Sequence, residues 1–227
     1  MNTKMVVNDD ENLIFLVSQC SYLLYGVSSL MTETDCRVSV IPVSHPEEIL
    51  SYPEGRYKRR LIVVSLPSAP VQSAKGRVFL WRLDIMRMQG RLSGPIHCVL
   101  TGDWKKWHSC VPAYRWLPKE SGPATQDILL RTLMSPGWSS VPARTRHLTH
   151  RQECILKDTL AGNTVQEIAE KLNITERAVF SARSAMISRI GLNNRIELMG
   201  LTGGASDALH YITHGTMQET RFSQKQK

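Results

Sequence analysis

The sequence predicts an α/β N-terminal domain, a parallel sheet with flanking helices, followed by an all-α C-terminal domain. Three observations carry this. Up to residue 134, short apolar runs alternate with helix-like stretches. The stretch SPGWSSVPARTRH (135–147) then interrupts with two prolines, a glycine and three serines and no hydrophobic period, which reads as an interdomain linker. Beyond it, only short helical patterns occur.

The apolar runs are LIFLV (13–17), RVSVIPV (37–43), LIVVS (61–65) and IHCVL (96–100). Runs of this length bounded by turn signals fit strands buried on both faces, as in a parallel sheet. Helical patterns fall at 21–31, 75–91 and 124–134. RYKRR (56–60) reads as a solvated turn ahead of the third strand. These elements set a domain at 1–134, a linker at 135–147, a helical domain at 148–201 and a polar tail at 202–227.

With 42% apolar and 21% charged residues, the chain has the composition of a globular protein able to bury a core. No apolar run reaches the roughly 18 to 20 residues of a membrane helix. Asp9, Asp10 and Glu11 precede the first apolar run, unlike a secretory leader, so a cytoplasmic location is expected. Five scattered cysteines argue against a disulfide framework. The net charge of +8 suits a polyanionic partner, but the basicity is spread along the chain: 16 Lys+Arg against 12 acids in 1–140, and 12 against 8 in 141–227.

The C-terminal segment 148–198 is the most informative. Thr149 with Gln152 makes a capping box opening a helix that presents Cys154, Ile155, Leu156 and Leu160, ended by Gly162. Thr164 with Glu167 opens a second, shorter helix with Ile168, Ala169 and Leu172 inward. Asn173-Ile174 turns the chain, and Thr175 caps a third helix reaching Ile190 and closed by Gly191. This is helix-turn-helix spacing. On the third helix Val179, Ala182, Met186 and Ile190 form an apolar stripe. The opposite face is expected to carry Arg177, Phe180, Ser181, Arg183, Ser184 and Ser188. Small hydroxyls between arginines suit phosphates and base edges; a plain solvated face is the competing reading.

Leu148-Thr149, Arg151, Glu167-Ile168-Ala169 and Gly191-Leu192-Asn193-Asn194-Arg195 resemble the LTxRE, EIA and GLxNRxEL motifs of the LuxR/FixJ/NarL-type DNA-binding domain. The resemblance covers about fifty residues and implies a four-helix bundle that binds double-stranded DNA through Thr164, Thr175, Arg177, Phe180, Ser181, Arg183, Ser184, Ser188 and Arg189. Where that family usually has Thr, Lys and His, this chain has Ala178, Phe180 and Ala182. The loss of three polar contacts implies weak DNA affinity for this subunit alone.

Such regulators often carry a phosphorylation receiver ahead of the DNA-binding domain. A receiver holds Mg²⁺ on a carboxylate pair after strand one, and phosphorylates an aspartate at the end of strand three. In this chain Ser18 and Gln19 follow LIFLV, and Ser65 ends LIVVS. Thr101 and Lys119 match the receiver's hydroxyl and lysine. The frame thus resembles a receiver whose acids are gone, and no metal, cofactor or catalytic residue is expected. Ser65 has no histidine base that the sequence places beside it. In a second register, MVVNDDENL supplies strand one with Asp9 and Asp10 as the acidic pair, which forces LIFLV into a helix.

Taken together, the chain resembles the auxiliary Rcs-type regulators, in which a subunit that is not phosphorylated pairs with an RcsB-like response regulator. A homodimeric regulator and a ligand-sensing regulator of the autoinducer type are the alternatives; the strand–helix alternation argues against the latter, and no small-molecule ligand is expected. His97, Cys98, His108 and Cys110 match no common zinc spacing. Trp104, Lys105, Lys106 and Trp107 are expected either as an exposed interaction patch or as a half-buried amphipathic helix.

Overall fold

The computed structural model describes residues 12–32, 36–52, 57, 59–92, 96–111, 114–118, 123–135 and 147–201. The chain divides into two compact units, 1–144 and 145–227.

The first unit is a five-stranded parallel sheet in the order β2-β1-β3-β4-β5. Its strands are β1 Asn12–Val17, β2 Val38–Pro42, β3 Arg59–Leu66, β4 Ile96–Gly102 and β5 Arg115–Trp116. Helices α1 (Ser21–Thr32), α2 (Pro70–Met88), α3 (Trp104–Trp107) and α4 (Pro123–Met134) connect or follow them, with a 3₁₀ turn at Pro46–Ser51. β1 and β3 carry the unbroken apolar runs Leu13–Val17 and Leu61–Val64 because both faces of each are covered. Leu13, Phe15, Ile62, Val64 and Leu66 pack with Phe79, Leu80 and Leu83 of α2. The alternate residues Ile14, Leu16, Leu61 and Val63 pack with Val27 and Met31 of α1 and Leu129 and Leu133 of α4. The period of two divides one apolar run between two cores.

The strand at 12–17 excludes the register that makes LIFLV a helix; Asp9 and Asp10 themselves lie outside the described residues. Helix α2 begins five residues before the expected start. Pro70 occupies its first turn, where a missing N–H costs nothing, so the proline-rich stretch is partly helix. The expected turn at 56–60 is corrected too. Arg59 and Arg60 open β3, and Arg60 is buried with its Nη1 donating to the Tyr52 carbonyl at 3.0 Å. Tyr57 is buried as well, while Arg56 and Lys58 lie outside the described residues.

The second unit contains α5 (His150–Leu160), α6 (Val165–Leu172), α7 (Glu176–Arg189) and α8 (Arg195–Gly200). Its buried apolar residues include Ile155, Leu156, Leu160, Ile168, Ala169, Val179, Met186, Ile187, Ile190, Leu192 and Leu198. The residues of the expected polar tail, 202–227, and of the linker from 136 to 146 lie outside the description.

Candidate nucleic-acid interface

Helix starts in the second unit are fixed by the side chains that the spacing predicts. Thr149 Oγ1 accepts from Gln152 N at 3.3 Å, and Gln152 Oε1 accepts from Thr149 N at 3.1 Å. Thr164 Oγ1 accepts from Glu167 N at 3.2 Å, and the Glu167 carboxylate accepts from Thr164 N at 2.7 Å and from its hydroxyl at 2.9 Å. These backbone and hydroxyl donors hold the Glu167 carboxyl below the usual range. Thr175 caps α7 by accepting from Ala178 N at 3.2 Å. The turn between α6 and α7 runs through Asn173 in the left-handed region (φ 50°), a conformation asparagine tolerates.

On α7 the helical period sorts the expected contacts into two groups. Arg177, Ser181, Ser184 and Ser188, at steps of four, three and four residues, are all exposed and line one side of the helix. Phe180 flanks this row and is 48% exposed. Arg183 does not belong to it. Its side chain is 5% exposed and lies in the buried row with Val179, Met186 and Ile190. Nε donates to Thr159 Oγ1 at 2.9 Å and Nη2 to the Asn163 carbonyl at 3.3 Å. The expected outward position of Arg183 is therefore corrected: 179, 183, 186 and 190 are one helical stripe, and a guanidinium enters it because two acceptors await it. Burial, with Arg195 nearby, lowers its pKa. Arg189 is half-buried, with Nη1 donating to Gln152 Oε1 at 2.9 Å, so it braces the start of α5. Thr164 and Thr175 sit at helix starts as caps, each with its hydroxyl oxygen on a backbone N–H.

Behind the exposed row, polar ties set the pose of α6 and α7. Lys171 Nζ donates to the buried Asp158 at 2.7 Å, and Thr159 Oγ1 donates to the Ile155 carbonyl at 2.7 Å. Among residues 147–201 there are seven Lys+Arg and six Asp+Glu, so this stretch has little net charge. Sequence reading missed the bracing roles of Arg183 and Arg189; the steps linking 179, 183, 186 and 190 were the signal available.

In the first unit, β1 and β3 lie at the switch point of the strand order, where open sheets of this order bind ligands beyond the strand ends. Ser18 and Gln19 follow β1, and Ser65 is the penultimate residue of β3. Ser65 is the register partner of Thr101 on β4, which brings these two hydroxyl residues side by side. Ser18 Oγ accepts from Cys20 N at 3.0 Å, leading into α1. Lys119 lies outside the described residues. Mg²⁺ requires hard, mostly anionic oxygens, and Ser18, Gln19 and Ser65 offer no carboxylate, so this residue set does not fit the ion.

The loop leaving β3 is strapped down by residues from beyond β4. Leu66 O accepts from Asp103 N at 2.9 Å, Pro67 O from Trp107 Nε1 at 2.8 Å, and Ser68 O from Lys106 Nζ at 2.8 Å. Gly102 (φ 122°) makes the approach possible, since a Cβ there would collide with the Leu66 carbonyl. Trp107 is 1% exposed, with the Arg77 guanidinium 4.3 Å from its ring centroid, whereas Trp104 is exposed. The helix is thus amphipathic, and the exposed patch reduces to Trp104 with Lys105 and Lys106. Of the four residues drawn as a zinc set, His97 contacts the Ser135 carbonyl through Nε2 at 3.1 Å, and Cys98 is in the apolar core with its thiol pushed up to about 12 by burial. His108 stacks on Trp104 with ring centroids 4.5 Å apart, and Cys110 is exposed.

Comparison with known proteins supports the reading of the second unit. Residues 146–202 match the family GerE, described as bacterial regulatory proteins, luxR family. No curated protein matches the chain. Among solved structures, the chain is similar to RcsB, seen as two dimers bound to two parallel DNAs, at 13% identity over 85% of this chain and 98% of that one, with a TM-score of 0.39. RcsB from Salmonella enterica serovar Typhimurium, bound to a promoter with the phosphomimetic BeF₃⁻, gives 15% identity, coverage of 85% and 98%, and a TM-score of 0.39. Full-length FixJ from B. japonicum gives 18%, coverage of 88% and 98%, and 0.34. The C-terminal unit of this chain is a helix-turn-helix DNA-binding domain of the LuxR type of bacterial regulators.

Proposed function

We propose that the protein is a phosphorylation-independent transcription regulator of the auxiliary Rcs kind, in the manner of RcsA or BglJ, that binds double-stranded DNA as a heterodimer with an RcsB-like response regulator. The observation that carries this reading is the state of α7. Its exposed row holds one arginine and three serines, while Arg183 is buried and Arg189 is bonded to Gln152. Phosphate contacts supply much of DNA affinity, so a domain with so few of them gains by pairing with a better-equipped subunit. The vacant acid positions at Ser18, Gln19 and Ser65 support independence from phosphorylation. Domain boundaries at 134, 148 and 201, and Thr164, Thr175, Arg177, Phe180, Ser181, Ser184 and Ser188 as the DNA-facing set, belong to the same proposal.

A gel-shift titration at fixed salt, with this chain alone, an RcsB-like response regulator alone, and both mixed, tests it. The expected result is little specific binding by this chain alone and a tight ternary complex in the mixture. Nanomolar binding of a palindromic site by this chain alone, with no gain from the second protein, refutes the heterodimer and makes the protein a homodimeric regulator.

A further inference from the structure

Phe180 is the odd residue of the exposed side of α7. Arg177 stands one turn before it, Ser184 one turn after, and Ser181 beside it, all exposed. The ring has no donor or acceptor, and 48% of the residue is open to solvent. Ser181, Ser184, Ala185 and Ser188 are small and exposed, so the helix backbone can come close to a surface laid against them, and the phenyl ring then reaches furthest. The arginine and hydroxyls around it suit a polyanionic surface more than the apolar centre of a protein interface.

Major-groove base edges present donors, acceptors and one apolar group, the C5-methyl of thymine. We infer that Phe180 is a specificity-determining residue that packs on a thymine methyl, so that this chain's half-site is marked by a required thymine. The inference rests on the DNA-binding reading above and adds which base the chain selects. Only that methyl gives the ring an apolar partner on a base edge; a cytosine at the same place offers a C–H and an amino donor that Phe180 has no means to satisfy.

The full chain, mixed with an RcsB-like response regulator, is used to select duplexes from a random pool, and each thymine of a selected duplex is then replaced by deoxyuridine. In this chain's half-site one such replacement is expected to weaken binding about fourfold, the effect of exposing one methyl-sized group. Phe180→Ala should show the same loss on the thymine duplex and no difference between thymine and deoxyuridine, while Phe180→Leu should restore part of the difference. Unchanged melting of both variants confirms that α7 is intact. A half-site in which no methyl matters, or a Phe180→Ala loss that is equal with thymine and deoxyuridine, overturns the inference while leaving DNA binding standing. If no duplex is enriched, the DNA-binding reading fails and this inference falls with it.

Discussion

Arg183 gives the sharpest test of how the recognition helix is held. Replacing it by alanine removes two hydrogen bonds from a guanidinium that is almost fully enclosed and leaves the Asn163 carbonyl without that donor. Hydrogen bonds to charged groups contribute about 1.5 to 3 kcal/mol each, and truncating a large buried side chain adds a cavity. The desolvation of the guanidinium offsets part of this, so Arg183→Ala is expected to cost about 3 to 5 kcal/mol. Arg183→Met keeps the volume, avoids the buried charge, and should cost about 1 to 2 kcal/mol. Arg177→Ala, on the exposed row, should stay within about 0.5 kcal/mol. Thermal unfolding followed by circular dichroism reads these differences: for a domain this small each kcal/mol moves the midpoint by roughly 4–8 °C. DNA binding then separates support from contact. A residue that meets a phosphate adds about 0.9 to the slope of log affinity against log salt. Arg177→Ala should lower that slope by about one, whereas Arg183→Met, measured below its melting point, should leave it unchanged. An Arg183→Ala variant as stable as the parent, or an Arg183→Met variant with a slope reduced by one, refutes the buried-brace account.

Treatment with acetyl phosphate, or with beryllofluoride and Mg²⁺, should leave the mass and spectra of the protein unchanged. Ser65→Asp alone should not restore a response, because Ser18 and Gln19 still supply no carboxylate; a stoichiometric adduct on the parent chain refutes this. Thr164→Ala should destabilise the C-terminal unit by about 1 kcal/mol at neutral pH. The folded pKa of Glu167 is depressed, so the contribution of its capping box is present above the ordinary carboxylate range and is lost as pH falls through the folded value. The gap between the parent and variant melting curves should therefore narrow on acidification, down to the part held by the Glu167 N–H on Thr164 Oγ1, and a gap that is independent of pH counts against the carboxylate half of the box. Trp107→Phe removes the donor to the Pro67 carbonyl at 2.8 Å and should cost about 1 to 3 kcal/mol. Faster hydrogen exchange in the segment 66–73 is the expected sign, and an unchanged exchange pattern would show that the strap does not hold the loop.

What the sequence determined by itself was everything whose cause lies within a few residues. The capping boxes Thr149/Gln152 and Thr164/Glu167 are four-residue patterns, and the structure has both. The apolar runs of β1 and β3 announce a sheet covered on both faces, because each residue of a doubly covered strand needs an apolar side chain whichever way it points. Pro70 shows the limit of reading composition: the same residue that marks a loop also opens a helix, and only the backbone after it decides. Tertiary structure alone decided which polar groups could be buried. Arg183 finds Thr159 and Asn163, 24 and 20 residues earlier in the chain. Arg60 reaches Tyr52, eight residues earlier, and Trp107 reaches Pro67, 40 residues away. The pairing of Ser65 with Thr101 follows from strand register. The helical period could hint that Arg183 lies on a buried stripe, but whether an arginine or a tryptophan leaves water depends on acceptors that folding brings from elsewhere in the chain.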